Sequence, residues 1–211
     1  MQFTRKIKDL RFWLDSDLTT KQHVIKICQS TYLELLCINS IRQYLTEEAT
    51  KIFATSCILS RLDFCNSLVM GTPSSIIKIL QTLQNSAARL VFRSRRTQHC
   101  TPLLRMLHWL PVTERIRFKV CCLCFKMVTG SAPVYLSKLL HVYTPSRTPR
   151  SSSDTRLFAI NRYKRKQHGF RRFAHYMART REMTCHRTSD TVTISSFKTR
   201  LKTHLCFQRY S

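Results

Sequence analysis

The chain has 211 residues, of which 36 are lysine or arginine and 11 are aspartate or glutamate, so its formal net charge is +25. An excess of this size predicts a polyanionic partner, with nucleic acid ahead of an anionic membrane, and the alternative is a merely solvating positive surface. No apolar run reaches the roughly 18 residues of a membrane span and the start has no signal peptide, which predicts an intracellular protein of the nucleus or cytoplasm.

Helical periodicity dominates the first two-thirds of the chain. Apolar residues recur every three or four positions, and glycine, proline and capping residues separate the periodic stretches. The predicted helices are Thr19 or Thr20 to about Leu45 (one helix or two), Thr46 to about Leu68, Ser74 or Ser75 to the basic break at Arg93, Pro111 to Gly130, and Pro133 to about Val142, with a short apolar segment at Leu103–Leu110.

Regular apolar stripes identify the faces that should be buried. In the first predicted helix the stripe consists of Val24, Ile27, Cys28, Leu35, Ile38 and Ile41. The third predicted helix has the most regular pattern, with Lys78, Gln81 and Arg89 off its apolar face. That face consists of Ile76, Leu80, Leu83, Ala87 and Leu90.

Composition changes at Tyr143. Residues 145–211 contain 16 basic and 3 acidic residues, so about half of the net charge lies in less than a third of the chain. Residues 144–193 are typical of a basic linker. The terminal segment 194–211 is predicted to contain a short amphipathic helix at Ile194–Phe207, with its stripe at Phe197, Leu201 and Leu205.

We therefore expect a mainly α fold, a bundle of four to six helices over residues 19–143, followed by a poorly ordered basic tail. Residues 1–18 are expected to contribute one strand whose sheet partners lie outside this chain.

Basic residues interleaved with aromatic ones are the candidate nucleic-acid-binding sites. Phosphate neutralisation by lysine or arginine and base stacking on aromatic rings can occur side by side in such a cluster. The alternative interpretation is a solvated linker with incidental charge. The candidates are Arg162, Tyr163, Lys164, Arg165, Lys166, Phe170, Arg171 and Arg172 in the tail, and a weaker patch of Arg93, Arg95 and Arg96 at a helix end.

Cysteines are the residues most suggestive of a metal site. Cys121, Cys122 and Cys124 lie in one helical pattern without a second ligand pair downstream, which favours core packing over zinc binding. The other helical cysteines, of which Cys28, Cys37 and Cys57 are examples, are likewise predicted to be small buried hydrophobes. We expect no bound metal and no cofactor.

Residues typical of catalysis are sparse. Asp15 and Asp17 form the only close pair of aspartates and are typical of a cap and turn rather than of metal ligands. His108 lies in an apolar segment and is predicted to be a hydrogen-bonded structural residue. No nucleophile motif accompanies it. We expect no enzymatic activity and no small-molecule substrate.

Five short strings of residues follow one another along the chain. Together with the segment Trp13–Leu18 that precedes them, they cover about residues 14–207. In this order they resemble the region after the polymerase palm in LINE-type non-LTR retrotransposon polyproteins of the jockey-like superclade. The strings are Ser60–Leu68; Leu83–Leu90; Leu107–Val112 with Arg115, Ile116, Phe118 and Lys119; Tyr143–Arg147; and Ser195–Lys198 with Leu201–Leu205.

The resemblance has two departures. Trp13–Leu18 resembles the junction that leaves the palm, but the family usually has a Leu-Gly pair before this stretch, and Arg11-Phe12 stands there instead. Between Met177 and Arg187 the family has a Trp-Asn-x-Leu-Pro block, which this chain lacks.

The resemblance implies a remnant of the palm/thumb junction at residues 1–18 and a helical thumb-like domain at 19–143 that grips template and primer. The Ala-Asp-Asp motif that holds catalytic metal ions in the family is absent here. The expected function is therefore that of a non-catalytic C-terminal fragment of an RNA-directed DNA polymerase that binds RNA or DNA non-specifically. Two alternatives stay open, a decayed relic reading frame without selected function and a domesticated protein-interaction module using the terminal helix.

Overall fold

A computed structural model of the chain describes residues 6–15, 20–138 and 193–210, and it is mainly helical, as predicted. The strands are β1 (Lys6–Asp9) and β2 (Phe12–Asp15), and the helices are α1 (Lys21–Ile41), α2 (Glu47–Phe53), a π-helical segment (Ala54–Leu59), α3 (Ser60–Asp63), α4 (Ser74–Phe92), α5 (Cys100–Met106), α6 (Val112–Val128), α7 (Val134–Ser137) and α8 (Ile194–Tyr210), with 3-10 turns at Arg42–Tyr44 and Asn66–Val69.

The helix count is slightly above the expected four to six. Because α2, the π-helical segment and α3 are continuous, the described part of the chain has seven helices. Two of them, α5 and α7, are short, and α5 includes the first part of the short apolar segment predicted at Leu103–Leu110. The expected tail at residues 144–193 lies outside the described residues. No helix of the described residues is long and apolar enough to cross a membrane.

The first residues form a hairpin rather than a single strand. β1 and β2 pair antiparallel, with Lys6 opposite Asp15 and Asp9 opposite Phe12. Leu10 and Arg11 connect the strands and both have positive φ, 42° and 67°. Two successive left-handed residues give the type I′ turn, whose twist matches that of paired strands. The expectation that this strand lacks a partner within the chain is therefore wrong.

The chain divides into two compact units, one made of residues 1–116 and 208–211 and the other of residues 117–207. In the first unit α1 packs against α4 and the π-helical segment, and α2 also packs against α4. Val24, Ile58 and Val91 are at most 1% exposed and lie in its core. In the predicted stripe of α1, Val24, Leu35 and Ile38 are buried, whereas Ile27 and Cys28 are only partly buried. Ile41 is 44% exposed at the end of the helix.

Residues near the start of α2 confirm one predicted cap. The Thr46 side chain accepts a hydrogen bond from the Ala49 backbone N–H at 3.2 Å, so one of the unpaired N–H groups of the first turn is satisfied. The α-helix ends at Asp63, earlier than the predicted Leu68, because Phe64 is extended and Cys65 is left-handed with φ 52°, and the 3-10 turn Asn66–Val69 follows.

Helix α4 has the predicted buried face. Its five predicted core residues are all buried, whereas Lys78 is exposed and Arg89 is partly exposed. The start differs from the prediction, because Pro73 occupies the N-cap position and no serine side chain caps the helix. At the other end Arg93 adopts the left-handed conformation and terminates the helix.

In the second unit, the described residues are 117–138 and 193–207. Gly130 follows α6 with φ 71°, as expected for a glycine that ends a helix. The Phe125 and Phe197 rings stack with centroids 4.3 Å apart. The predicted stripe of α8 is buried, with Leu201 and Leu205 at most 1% exposed.

Candidate nucleic-acid interface

The predicted patch at the end of α4 forms the loop 93–99, which leads into α5. Arg95 and Arg96 are exposed in this loop, and the Gln98 backbone N–H donates to the Arg95 carbonyl at 3.1 Å. Arg93 has a different position. Its Nη2 donates to the Arg42 carbonyl at 3.0 Å and to the Gln43 carbonyl at 3.4 Å. Arg95 and Arg96 are therefore available to a phosphate, whereas Arg93 also holds the fold together.

Arg42 fixes the same end of α4 from the inside. Its buried guanidinium donates to the carbonyls of Leu90 at 3.0 Å, Val91 at 2.7 Å and Leu45 at 2.7 Å. The bonds to Leu90 and Val91 give donors to two carbonyls in the last turn of α4, where a helix leaves acceptors without intrahelical partners. Burial lowers the pKa of Arg42, and the nearby charge of Arg93 lowers it further. Arg42 and Arg93 thus anchor the start of the loop 93–99. The periodicity of the sequence does not predict that these two arginines lie close together.

The eight predicted tail residues, Arg162, Tyr163, Lys164, Arg165, Lys166, Phe170, Arg171 and Arg172, lie outside the described residues.

A cleft of about 320 Å³ lies beside the loop 93–99 in the first unit. Helices α4 and α5, the loop and the end of α8 contribute to its lining. The lining residues are Gln81, Asn85, Arg89, Thr97, Gln98, His99, Cys100, Thr101, Leu104, Pro111, Arg209 and Tyr210. None of these twelve residues is acidic.

The lining of the cleft contains two arginines and no acid. No aspartate or glutamate occurs between Asp63 and Glu114, a stretch that supplies all but two of the lining residues. Arg89 donates through Nη2 to the Gln98 carbonyl at 3.2 Å, while its buried Nε has no hydrogen-bond partner among the described residues. Burial raises the pKa of the Cys100 thiol and the charge of Arg89 opposes the shift, so this thiol is neutral at pH 7.

Hydrogen bonds hold the walls of the cleft in place. The Gln81 side-chain oxygen accepts from the Val112 backbone N–H at 2.9 Å, and its amide nitrogen donates to the Asn85 side chain at 2.9 Å. The Tyr210 hydroxyl donates to the Trp109 carbonyl at 2.8 Å. Since a rigid wall loses little entropy when a ligand binds, this arrangement favours binding.

Sequence reasoning missed the cleft. In the sequence Arg89 lies off the apolar face of its helix and inside the string Leu83–Leu90, and neither feature predicts a binding site. No pattern in the sequence distinguishes Arg209. The two are far apart in sequence, so no local pattern brings them together. The long stretch without an acid was the available signal, because it predicts an electropositive surface wherever those residues meet.

Among the described residues, no group of three or more His, Cys, Asp or Glu side chains could hold a metal ion. Cys121, Cys122 and Cys124 are buried in α6, as predicted, and burial raises the pKa of Cys122 and of Cys124. Cys37 is exposed, so its predicted burial is wrong, and Cys28 and Cys57 are only partly buried.

The aspartates and the histidine considered for chemistry are also placed differently from expectation. Asp15 lies in β2 and not in a helix cap, and Asp17 lies outside the described residues. His108 has an exposed side chain and a left-handed backbone with φ 55°. The described residues give its side chain no hydrogen bond, so the prediction of a hydrogen-bonded structural histidine is wrong.

Three of the strings that suggested a retrotransposon family contact one another within the first unit. The Asp63 carboxylate accepts from Nε of Arg115 at 2.8 Å and pairs with Nη2 of the same residue. The buried Gln84 amide donates to the Leu110 carbonyl at 2.9 Å. These residues stabilise the fold and do not form an exposed site.

Comparison with protein-family models, curated proteins and solved structures found no match for this chain.

Proposed function

We propose that this chain is a non-catalytic nucleic-acid-binding protein that contacts RNA or single-stranded DNA with little sequence preference. The observation that carries the proposal is the distribution of charge. Basic residues exceed acidic ones by 25, and exposed arginines project from the loop 93–99 in a stretch without acids. A surface of this kind binds phosphates and releases the counterions condensed on the nucleic acid.

The tail and the loop have different parts in the proposed binding. Residues 145–211 carry about half of the net charge, and aromatic residues stand among their basic ones. We assign them most of the affinity, because stacking on an aromatic ring adds roughly 1–3 kcal/mol per base to the electrostatic attraction. Arg95 and Arg96 supply a smaller, purely electrostatic part.

The proposal includes an evolutionary origin of the chain in the region that follows the palm of a LINE-type polymerase. The order of the five strings along the chain supports this origin. The contacts Asp63–Arg115 and Gln84–Leu110 give a structural reason for three of them to occur together, because each pair joins residues of different strings.

The binding experiment compares variants of the full chain by fluorescence anisotropy with a labelled single-stranded RNA. Replacing Arg162, Lys164, Arg165 and Lys166 together by alanine should weaken binding strongly. Replacing Arg95 and Arg96 by alanine should weaken it less. A matched control, alanine at the exposed Lys26 and Lys126, should have a smaller effect than either, although it also removes two charges. Equal affinities for all four proteins would refute the proposal.

The non-catalytic part of the proposal has its own assay. Nucleotidyl transfer uses carboxylates that hold two metal ions, and the chain has no adjacent aspartates. Purified protein should therefore incorporate no nucleotide on a primed RNA template with magnesium or manganese. Incorporation that stays with the chain through successive purification steps would contradict this.

Protein interaction through the terminal helix has less support. A groove-filling helix must present its apolar stripe to the partner. In α8, however, Phe197, Leu201 and Leu205 are already buried by this chain. Phe207 is a large apolar side chain that α8 does expose, and it is 72% exposed. A specific protein partner retained at ordinary salt would favour the interaction module over nucleic-acid binding.

A further inference from the structure

The cleft beside the loop 93–99 has the size of a small-ligand site. Its volume of about 320 Å³ lies at the lower end of the range of roughly 300–1,000 Å³ that such sites occupy. A single inorganic anion would leave most of this space empty. The volume therefore suits a ligand that has an organic body attached to its charged group.

The chemistry of the lining selects the charged group of the ligand. Arg89 and Arg209 are the permanent cations, and no acidic residue opposes them. The neutral Cys100 thiol adds no negative charge. Arginine pairs well with phosphate because its planar guanidinium can donate two parallel hydrogen bonds. Arg89 uses Nη2 to donate to the Gln98 carbonyl at 3.2 Å, which fixes the guanidinium in the wall of the cleft.

Other lining residues suit a nucleobase. Leu104 and Pro111 are apolar lining residues, and the atoms that they present to the cleft give a flat ring a surface to pack against. Asn85 and Gln98 provide amide groups that can pair with the polar edge of a base. Walls held by hydrogen bonds, such as that from Tyr210 to the Trp109 carbonyl, need little rearrangement on binding.

We propose that this cleft binds one nucleotide unit, with its phosphate on Arg89 and Arg209 and its base against Leu104 and Pro111. The unit can come from a free mononucleotide or from one residue of a single strand. The second source rests on the proposed function, whereas the first does not.

Titration calorimetry of the full chain tests the site with three probes at low salt: adenosine 5′-monophosphate, adenosine and inorganic phosphate. The monophosphate should bind with one-to-one stoichiometry, because it alone supplies both the phosphate and the base. Adenosine and inorganic phosphate should each bind at least about tenfold more weakly. Absence of monophosphate binding at millimolar concentration, or equal binding of inorganic phosphate, overturns the proposal.

Variants locate the binding in the cleft. Arg209→Gln should weaken monophosphate binding about tenfold, because a charge-assisted hydrogen bond is lost. Arg209 is exposed on the last turn of α8, so this change leaves the core intact. Arg105→Gln is the matched control, since it removes an exposed arginine of α5 that does not line the cleft. Equal weakening by both changes overturns the proposal.

Arg89→Lys provides a second variant that keeps the charge but loses the bidentate geometry. It should also weaken monophosphate binding, and the melting temperature shows whether the protein still folds.

A single-stranded oligonucleotide separates this proposal from the proposed function. Displacement of bound monophosphate by the oligonucleotide supports a strand residue as the natural source. Oligonucleotide binding without monophosphate binding refutes the cleft site alone. Monophosphate binding that depends on Arg209, with no oligonucleotide binding, refutes only the proposed function.

Discussion

Buried arginines stabilise the fold of this protein, whereas exposed arginines are available to bind a ligand. Arg42 is 8% exposed and is held by three backbone carbonyls, whereas Arg95 and Arg96 face solvent. A buried guanidinium is stable only if its N–H groups are satisfied. The total number of basic residues therefore overstates how many are available for binding, and the position of each one decides its role.

Replacing Arg42 by methionine should lower the free energy of unfolding by about 3 kcal/mol, because the carbonyls of Leu90, Val91 and Leu45 each lose a charged donor, although Leu90 keeps the Arg93 backbone N–H. Urea denaturation measures the change. Arg93→Met removes weaker bonds at an exposed position and is the control, with an expected loss of about 1 kcal/mol. Equal midpoints for wild type and Arg42→Met would show that the buried guanidinium does not stabilise the end of α4.

His23 links stability to pH. Its side chain is 1% exposed, Nδ1 accepts from the Trp13 backbone N–H at 3.4 Å, and Nε2 is buried with no hydrogen-bond partner among the described residues. The Phe12 ring lies against it, with centroids 3.8 Å apart. Burial disfavours the imidazolium form and lowers the pKa of His23 to about 4.

Because this pKa lies below the unfolded value of 6.5, the unfolded chain binds the proton more readily between these two pH values. The contribution of neutral His23 is fully present above pH 6.5 and decreases towards pH 4, by up to about 3 kcal/mol. Urea denaturation at several pH values measures it. His23→Gln, which does not titrate, should flatten the pH dependence over this range. An unchanged dependence would contradict the assignment.

Capping residues and apolar periodicity in the sequence predicted most of the helices. Where a helix ends depends in part on contacts with residues far along the chain, which the sequence does not reveal. Thr46 caps α2 through an atom three residues away, so the sequence was sufficient to predict it. The end of α3 at Asp63 was not predictable in this way. The Asp63 carboxylate binds Arg115, which lies far along the chain, and the chain leaves the helix at this residue.

The candidate site was predictable only in part, for the same reason. Arg95 and Arg96 follow a periodic helix and could be recognised as a basic break. The cleft requires Arg89 of α4 and Arg209 of α8 to line one cavity, and only the folded chain makes this visible. Burial of Ile41 was predicted from its place in the α1 stripe and is wrong, because α1 ends there.

The β1–β2 hairpin contains a turn that does not suit its sequence. Arg11 has φ 67°, a conformation that costs a non-glycine residue roughly 1–2 kcal/mol. Arg11→Gly should therefore stabilise the hairpin by about 1 kcal/mol and slow hydrogen exchange of the amides in residues 12–15. Lys8→Gly is the opposite control, because it removes a strand side chain whose ammonium lies 5.7 Å from the Trp13 ring. Faster exchange in Arg11→Gly would contradict the turn assignment.

For the whole molecule, the central claim is that its surplus of positive charge binds the nucleic-acid backbone rather than only solvating the protein. The two interpretations differ in their dependence on salt. A protein that neutralises several phosphates releases counterions, so its affinity falls steeply as salt rises, whereas a solvating surface gives no such relation.

The most direct test is a salt titration of full-chain binding to single-stranded RNAs of equal length and unrelated sequence. If the chain neutralises about four or more phosphates, log K should fall with log salt with a slope of about −3 or steeper. The slope and the affinity should be nearly the same for each sequence, because phosphate contacts do not read bases. A slope near zero, or affinities that differ more than about tenfold between sequences, would contradict non-specific electrostatic binding.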